Sequence, residues 1–229
     1  MSEEIRAWWD KCHKDNSKVY LSESRGKNIW GFLNIGPLLG PSKTVLDVGV
    51  GFGYATRDLL SKGCIVHALD ISQLALDRVK DFAVCWLAPK QLKELPENTF
   101  DLAISHLVAQ HMSNENLLEQ MAAIIRTLKP NGVFAMQFAF LVTKSGMIAD
   151  ELREDMEPKK LLNVIYNRLM KEGKRDVFSQ THGAICRSLE EMSQLVSQAN
   201  GEIVWVTKKM FPNLDCGWHG VHIKRKVMK

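Results

Sequence analysis

The chain has 229 residues, 45% of them hydrophobic and 24% charged, with a formal net charge of +4. These values fit a folded domain with one sizeable core and exclude a disordered, collagen-like or coiled-coil architecture. No apolar run reaches the ~18 residues of a membrane span, and the opening Met-Ser-Glu-Glu-Ile-Arg is too charged for a secretory leader. A cytoplasmic protein without a membrane partner is expected. Five cysteines, an odd number with no C-x-x-C pair, read as reduced thiols rather than a disulfide framework. Much of the basic excess is gathered at Lys224, Arg225, Lys226 and Lys229, and no long basic stripe with interleaved aromatics marks a nucleic-acid face.

Residues 1–40 carry Trp8, Trp9, Tyr20, Trp30 and Phe32 without a strand pattern, and are expected to form a helical lid. The first β-rich run, Thr44-Val-Leu-Asp-Val48, leads into a glycine-rich turn, and a helix over about 55–62 stops at Gly63. The second run, 65–69, ends in Asp70. Ser72 then offers an N-cap for a helix carrying Leu74, Leu76, Val79 and Phe82. A third run spans 83–88, Leu95-Pro-Glu-Asn98 is turn-like, and 100–105 is the fourth run. Leu117, Met121, Ile124, Ile125 and Leu128 give the next helix one apolar face. Lys129-Pro-Asn-Gly132 is expected to end it, ahead of a strand over 133–140.

Residues 141–182 are charged and helix-prone, with Leu161, Leu162, Ile165 and Leu169 at helical spacing, and read as an inserted cap. Ser188-Leu-Glu-Glu191 is a capping box that opens a helix with Met192, Leu195, Val196 and Ala199 inward. Two final runs, 202–207 and 218–223, suit an antiparallel closing hairpin. The alternation predicts an α/β protein with a mostly parallel sheet of seven strands. The expected organisation is a single domain: lid 1–40, cofactor-binding core 41–140, cap 141–182, and C-terminal helix with closing hairpin 183–229.

The stretch Val45-Leu-Asp-Val-Gly-Val-Gly-Phe-Gly-Tyr54 leaves a buried strand and enters a helix through Gly49, Gly51 and Gly53. Glycine lets the backbone turn tightly and approach a ligand without a Cβ clash, so a nucleotide-like cofactor is the natural occupant. A dinucleotide fingerprint G-x-G-x-x-G counted from Gly49 needs glycine where Tyr54 stands, and no P-loop G-K-[ST] follows. Asp47, inside the turn region, suits an ammonium better than a phosphate. Asp70 lies 17 residues beyond Gly53, where a carboxylate can accept from both hydroxyls of a ribose. A turn residue is its plainer alternative. A ribose-bearing ligand without phosphates and with a cationic amino-acid tail describes S-adenosylmethionine.

With Ala68-Leu-Asp-Ile-Ser72, Leu95-Pro-Glu-Asn-Thr-Phe-Asp101 and Leu128-Lys-Pro-Asn-Gly132, the glycine turn resembles the class I S-adenosylmethionine-dependent methyltransferases. The likeness is greatest to the small-molecule type that shares the fold of ubiquinone and menaquinone biosynthesis methyltransferases. It covers about residues 44–140 and is weak over 1–40 and 141–182. The resemblance implies a seven-stranded Rossmann-like methyltransferase sheet, mostly parallel with an antiparallel C-terminal hairpin and helices on both faces. Carried over by position, Asp47, Gly49, Gly51 and Gly53 would line the methionine end and ribose. Asp70 would hold the ribose hydroxyls, and Ile71 would pack on adenine. Gln91 stands where relatives often have an acid that bonds the adenine amino group, and its amide oxygen can still accept. Leu92 would offer a backbone contact, and Ser105 and His106 would lie under the methionine portion.

Methyl transfer is an in-line displacement from a good sulfonium leaving group, so positioning supplies most of the acceleration. A base is needed only when the acceptor must lose a proton. His111, in Ser105-His-Leu-Val-Ala-Gln-His111, is the candidate base, with a structural hydrogen bond in the pocket as its alternative. Tyr20 is a second catalytic candidate, an N-terminal aromatic able to stabilise a cation over the cofactor. Cys216, His219 and His222 have metal-like spacing but no complete zinc set, so strand packing and no metal site are expected. No Asn/Asp-Pro-Pro-Tyr motif follows the fourth run, which argues against methylation of nucleobase amino groups. A hydrolase's G-x-S-x-G is also missing. These residues point to methyl transfer to a hydroxyl or amine of a small-molecule acceptor, with S-adenosylhomocysteine as product. A cofactor-binding protein without catalysis is the alternative, and a nucleic-acid methyltransferase stands behind it.

Overall fold

A computed structural model describes residues 3–14, 29–140, 187, 189–207 and 217–226. Tyr20, the expected cap over 141–182, Cys216 and the side chain of His219 lie outside the described residues. Strands β1 (Thr44–Val48), β2 (Ile65–Asp70), β3 (Val84–Leu87), β4 (Phe100–Ser105), β5 (Leu128–Phe140), β6 (Gly201–Val206) and β7 (Gly217–Arg225) form one seven-stranded sheet. Its order is β3-β2-β1-β4-β5-β7-β6. The first five strands are parallel, and β7 runs antiparallel to both β5 and β6. The helices are α1 (Glu3–Lys14), α2 (Tyr54–Ser61), α3 (Gln73–Leu76), α4 (Asn114–Thr127) and α5 (Leu189–Gln198). From β1 the chain builds outward to β2 and β3, then crosses back past β1 to β4 and β5. The direction of winding reverses between β1 and β4, and the crevice outside their C-terminal ends is where such sheets take ligands.

Successive strand residues point to opposite faces, and both faces are covered. Val45, Leu102, Ile104 and Val133 pack with Leu59 of α2 and with Ile29, Leu33 and Ile35. Their neighbours Leu46, Ala103, Phe134 and Met136 pack with Met121 and Ile124 of α4 and with Met192 and Val196 of α5. Cover on both faces explains why the strands read as nearly continuous apolar runs. His222 of β7 donates from Nε2 to the Leu33 carbonyl at 2.6 Å, which ties the closing strand to the segment ahead of β1. Among the described residues, no helix is long and apolar enough to cross a membrane.

Two local expectations are corrected. The helix after Ser72 does not reach Phe82. The Ser72 hydroxyl caps the Ala75 amide at 3.4 Å, but α3 ends at Leu76, because the amides of Arg78, Val79 and Phe82 bond three residues back rather than four. These tighter turns bury Val79 fully and leave Phe82 42% exposed. Nor does Lys129-Pro-Asn-Gly132 stop a helix. α4 ends at Thr127, whose hydroxyl donates to the Ile124 carbonyl at 2.6 Å, and Leu128 already pairs with Phe100 in the sheet. Pairing resumes at Leu102 with Val133, so the segment between is a bulge inside β5. A bulge needs no ladder N–H, which is why Pro130 is tolerated there.

Arg225 fastens the two ends of this arrangement. From β7 its guanidinium donates to the carbonyls of Ile125 (3.1 Å), Arg126 and Leu128, and to Asn98 Oδ1 at 3.0 Å. A cation at the C-terminus of α4 also meets the negative end of the helix dipole. Arg225→Met keeps the apolar stem and removes every donor. It should lower stability by about 2 kcal/mol, seen as a lower urea midpoint with an unchanged slope.

Candidate cofactor and active site

The crevice is floored by the turn that follows β1. Gly49, Gly51 and Gly53 have φ of +81°, +54° and +75°, and Gly53 is the N-cap of α2. A Cβ on Gly49 would stand 2.2 Å from Val108 Cγ2, so this glycine lets the loop after β4 close against the turn. A Cβ on Gly51 would meet nothing nearer than 4.0 Å, where Gly49 O and His13 Cε1 stand. Gly51 is therefore held by its left-handed backbone rather than by crowding.

Two carboxylates flank the turn. Asp47 is 3% exposed, and its Oδ2 accepts from the Thr56 hydroxyl of α2 at 2.6 Å. Among the described residues no cation pairs with it. Burial pushes its pKa up to about 6, against the lowering effect of the Thr56 bond. A buried carboxylate in this state is a costly group whose charge an ammonium would compensate. Asp70 ends β2. Its Oδ2 accepts from Gly51 N–H at 3.1 Å and its Oδ1 from Ser72 N–H at 2.8 Å. Burial raises its pKa as well, and the neighbouring backbone N–H groups, with His13, work against that rise. Each of its oxygens keeps a second lone pair for a ligand hydroxyl. An ammonium at Asp47 and a diol at Asp70 fit the donors of an adenosyl amino acid.

The other expected contacts surround these. Ile71 follows directly after β2 and is half-buried. Gln91 closes the loop after β3: its Oε1 accepts from Leu87 N–H at 2.7 Å and its Nε2 donates to Glu94 at 3.2 Å, leaving one lone pair on the amide oxygen. The N–H of Leu92 is engaged with the Pro89 carbonyl at 3.2 Å, and its side chain is buried. Ser105 is buried at the tip of β4, with His106 half-buried beside it. Gln137 of β5 accepts from the Leu107 N–H at 3.2 Å, which holds the loop at φ +60°. That loop leads into a short 3-10 turn, Ala109–His111.

Three residues that bear on the crevice gave no signal in the sequence. Arg187 is fully buried and donates to the carbonyls of Ala109 (3.0 Å) and Met112 and to Asn114 Oδ1 (2.8 Å), fixing the turn that carries His111. From α1, Asp10 accepts the Ser72 hydroxyl, and the His13 carbonyl accepts from Arg78 Nη2 at 2.6 Å. The helix thereby lies over the glycine turn. The rings of His13 and Phe52 meet at 5.5 Å, and Trp9 sets its ring 5.0 Å from His111, edge to face.

The raised pKa of Asp47 makes stability depend on pH. Between about pH 4 and 6 the folded chain holds a proton that the unfolded chain has released, so stability falls as pH rises through this window. Above pH 6 the whole cost is present, about 3 kcal/mol for a rise of this size. Asp47→Asn removes it. Urea unfolding of the ligand-free protein should find the variant more stable than wild type at pH 7, by an amount approaching that figure, with the difference fading toward pH 4.

Residues 46–136 match the family described as a methyltransferase domain. An uncharacterized methyltransferase of Synechocystis is 33% identical over 101 residues, 43% of this chain and 48% of that protein. The phosphoethanolamine N-methyltransferase of Plasmodium falciparum is 27% identical over 193 residues, 79% of this chain and 72% of its own. The match spans less than half the length of the Synechocystis relative. The structure of a Burkholderia thailandensis 1,6-didemethyltoxoflavin-N1-methyltransferase, with bound 1,6-didemethyltoxoflavin and S-adenosylhomocysteine, superposes with a TM-score of 0.65. That alignment is 16% identical and covers 98% of this chain and 88% of that one, a likeness of fold. Residues 46–136 thus match a methyltransferase domain, and the sheet order and the superposition show that the surrounding chain has the fold of such domains.

Proposed function

We propose that the protein transfers a methyl group from S-adenosylmethionine to a hydroxyl or amine of a small-molecule acceptor. The observation that carries this reading is the row of rings from His111 through Trp9 and His13 to Phe52, which joins the loop after β4 to the glycine turn under α1. A crevice walled in this way suits a small acceptor better than a polymer. The acceptors named for the Plasmodium and Burkholderia proteins, phosphoethanolamine and 1,6-didemethyltoxoflavin, are also small molecules.

In this reading Asp47 pairs with the ammonium of the cofactor, Asp70 takes the ribose hydroxyls, Ile71 covers the adenine, and Ser105 and His106 support the methionine portion. Gln91 and Leu92 border the adenine edge. When bound, the cofactor supplies an electrophilic methyl on a sulfonium. The protein's own part is to hold the acceptor in line and exclude water. For a hydroxyl acceptor, His111 takes the proton, its ring set edge to face against Trp9. Tyr20 is proposed as the second catalytic side chain.

The test is release of S-adenosylhomocysteine from S-adenosylmethionine with a panel of small hydroxyl and amine compounds, beside protein and RNA. Release with a small acceptor is expected. Release only with a macromolecule, or with nothing in a protein that binds the cofactor, overturns the reading. With a hydroxyl acceptor His111→Ala should lower kcat by about 10²–10⁴-fold and leave S-adenosylhomocysteine affinity unchanged. Titration calorimetry checks Asp47 separately. Because the ammonium binds the ionised carboxylate, affinity for S-adenosylhomocysteine should rise about tenfold per pH unit up to about pH 6 and then level off. Asp47→Asn should bind weakly with a flat profile.

A further inference from the structure

α1 brings to the crevice a buried side chain that neither the motifs nor the reaction uses. His13 is 6% exposed, its ring lies 5.5 Å from that of Phe52, and its Cε1 is 4.0 Å from where a Cβ on Gly51 would stand. Its Nδ1 is buried without a hydrogen-bond partner among the described residues. Buried polar atoms in folded proteins are almost always paired, so this nitrogen points to a ligand. Its surroundings are specific. Asp70 is bonded to two backbone N–H groups, those of Gly51 and Ser72, and α1 meets both residues: His13 stands against Gly51, and Asp10 accepts the Ser72 hydroxyl. Asp10 and His13 are three apart and so share one face of the helix.

We propose that His13 is a ribose-binding residue, donating from Nδ1–H to a ribose hydroxyl whose own proton goes to Asp70. The proposal rests on the reading of this crevice as the adenosyl site. Asp70 can take the protons of both hydroxyls with its two remaining lone pairs, but as a carboxylate it has no proton to give. Each hydroxyl oxygen is then left as an acceptor, and His13 supplies the missing donor. Burial lowers the His13 pKa, against the raising effect of Asp70 and with Arg78 lowering it and Asp10 raising it. At neutral pH the ring is thus neutral, with one N–H. The arrangement makes α1 part of the cofactor site, so docking of the helix and binding of the ribose strengthen each other by linkage.

The test is titration calorimetry of the full chain with S-adenosylhomocysteine and with its 2′,3′-dideoxy analogue. His13→Ala should weaken S-adenosylhomocysteine about tenfold and leave the dideoxy analogue within about twofold of wild type. His13→Asn, which keeps an amide donor near the Nδ1 position, should recover most of the loss. Equal weakening of both ligands would show that the ring acts only by packing α1, and no weakening would show no contact; either overturns the proposal. If the wild-type chain binds S-adenosylhomocysteine, failure of these variants touches the ribose assignment alone. If wild type binds neither ligand, the adenosyl reading of the crevice falls, and this proposal with it. Should His13→Ala fail to fold, His13→Phe keeps a ring on Phe52 without a donor and carries the same expectations.

Discussion

A carboxylate buried with no paired cation among the described residues, near the C-terminal end of β1, is the constraint around which this molecule is arranged. Asp47 is buried beside α2 and the glycine turn, and among the described residues Thr56 compensates it through its hydroxyl and its backbone N–H. A hydrophobic residue of similar size would suit the ligand-free fold better. Retaining an acid there makes sense where a cation arrives from outside and its binding energy offsets the local penalty. Asp70 is the complementary case. Its backbone N–H partners hold the carboxylate in place while its outer lone pairs stay available. In the proposed reading, one acid sets the charge of the ligand and the other its hydroxyl pattern.

The rest of the fold positions that pair. Reversal of winding between β1 and β4 opens the crevice directly above Asp47, and the bulge in β5 absorbs Lys129-Pro-Asn-Gly132 without disturbing the pairing of β5 with β4 beyond it. Gly49 lets the loop after β4 approach the turn, Gln137 holds that loop, and Arg187 pins the following turn with His111 on it. α1 completes one wall through Trp9 and His13. None of these is a strong interaction alone. Their common effect is a set of polar side chains fixed by neighbours that are themselves bonded, the condition for preorganised chemistry.

What the sequence made legible was local. The glycine turn, Asp47, Asp70 and the seven strands follow from short runs whose meaning is complete within ten residues, and the sheet places them as the motif spacing implied. The helix expected through Phe82 stops at Leu76 because apolar spacing at Leu74, Leu76 and Val79 suits either a helix or a string of tight turns, and the hydrogen-bond pattern decides between them. The Lys129-Pro-Asn-Gly132 segment carries helix-stop chemistry, yet strand pairing had already begun at Leu128. Asp10, His13 and Arg187 had no local signature at all. Their partners lie 62 to 78 positions away along the chain, and only the tertiary fold brings them together.

The central claim is that the crevice above Asp47 and Asp70 is an adenosyl amino-acid site, and ligand-dependent thermal unfolding tests it most directly. The protein, confirmed free of bound cofactor by mass spectrometry, is heated alone and with S-adenosylmethionine, S-adenosylhomocysteine or NAD. Either adenosyl ligand at about 100 times its Kd should add about 2.7 kcal/mol, a rise in Tm of roughly 5–10 °C for a chain of this size, with no change from NAD. No rise with the adenosyl ligands, or an equal rise with NAD, would contradict the account.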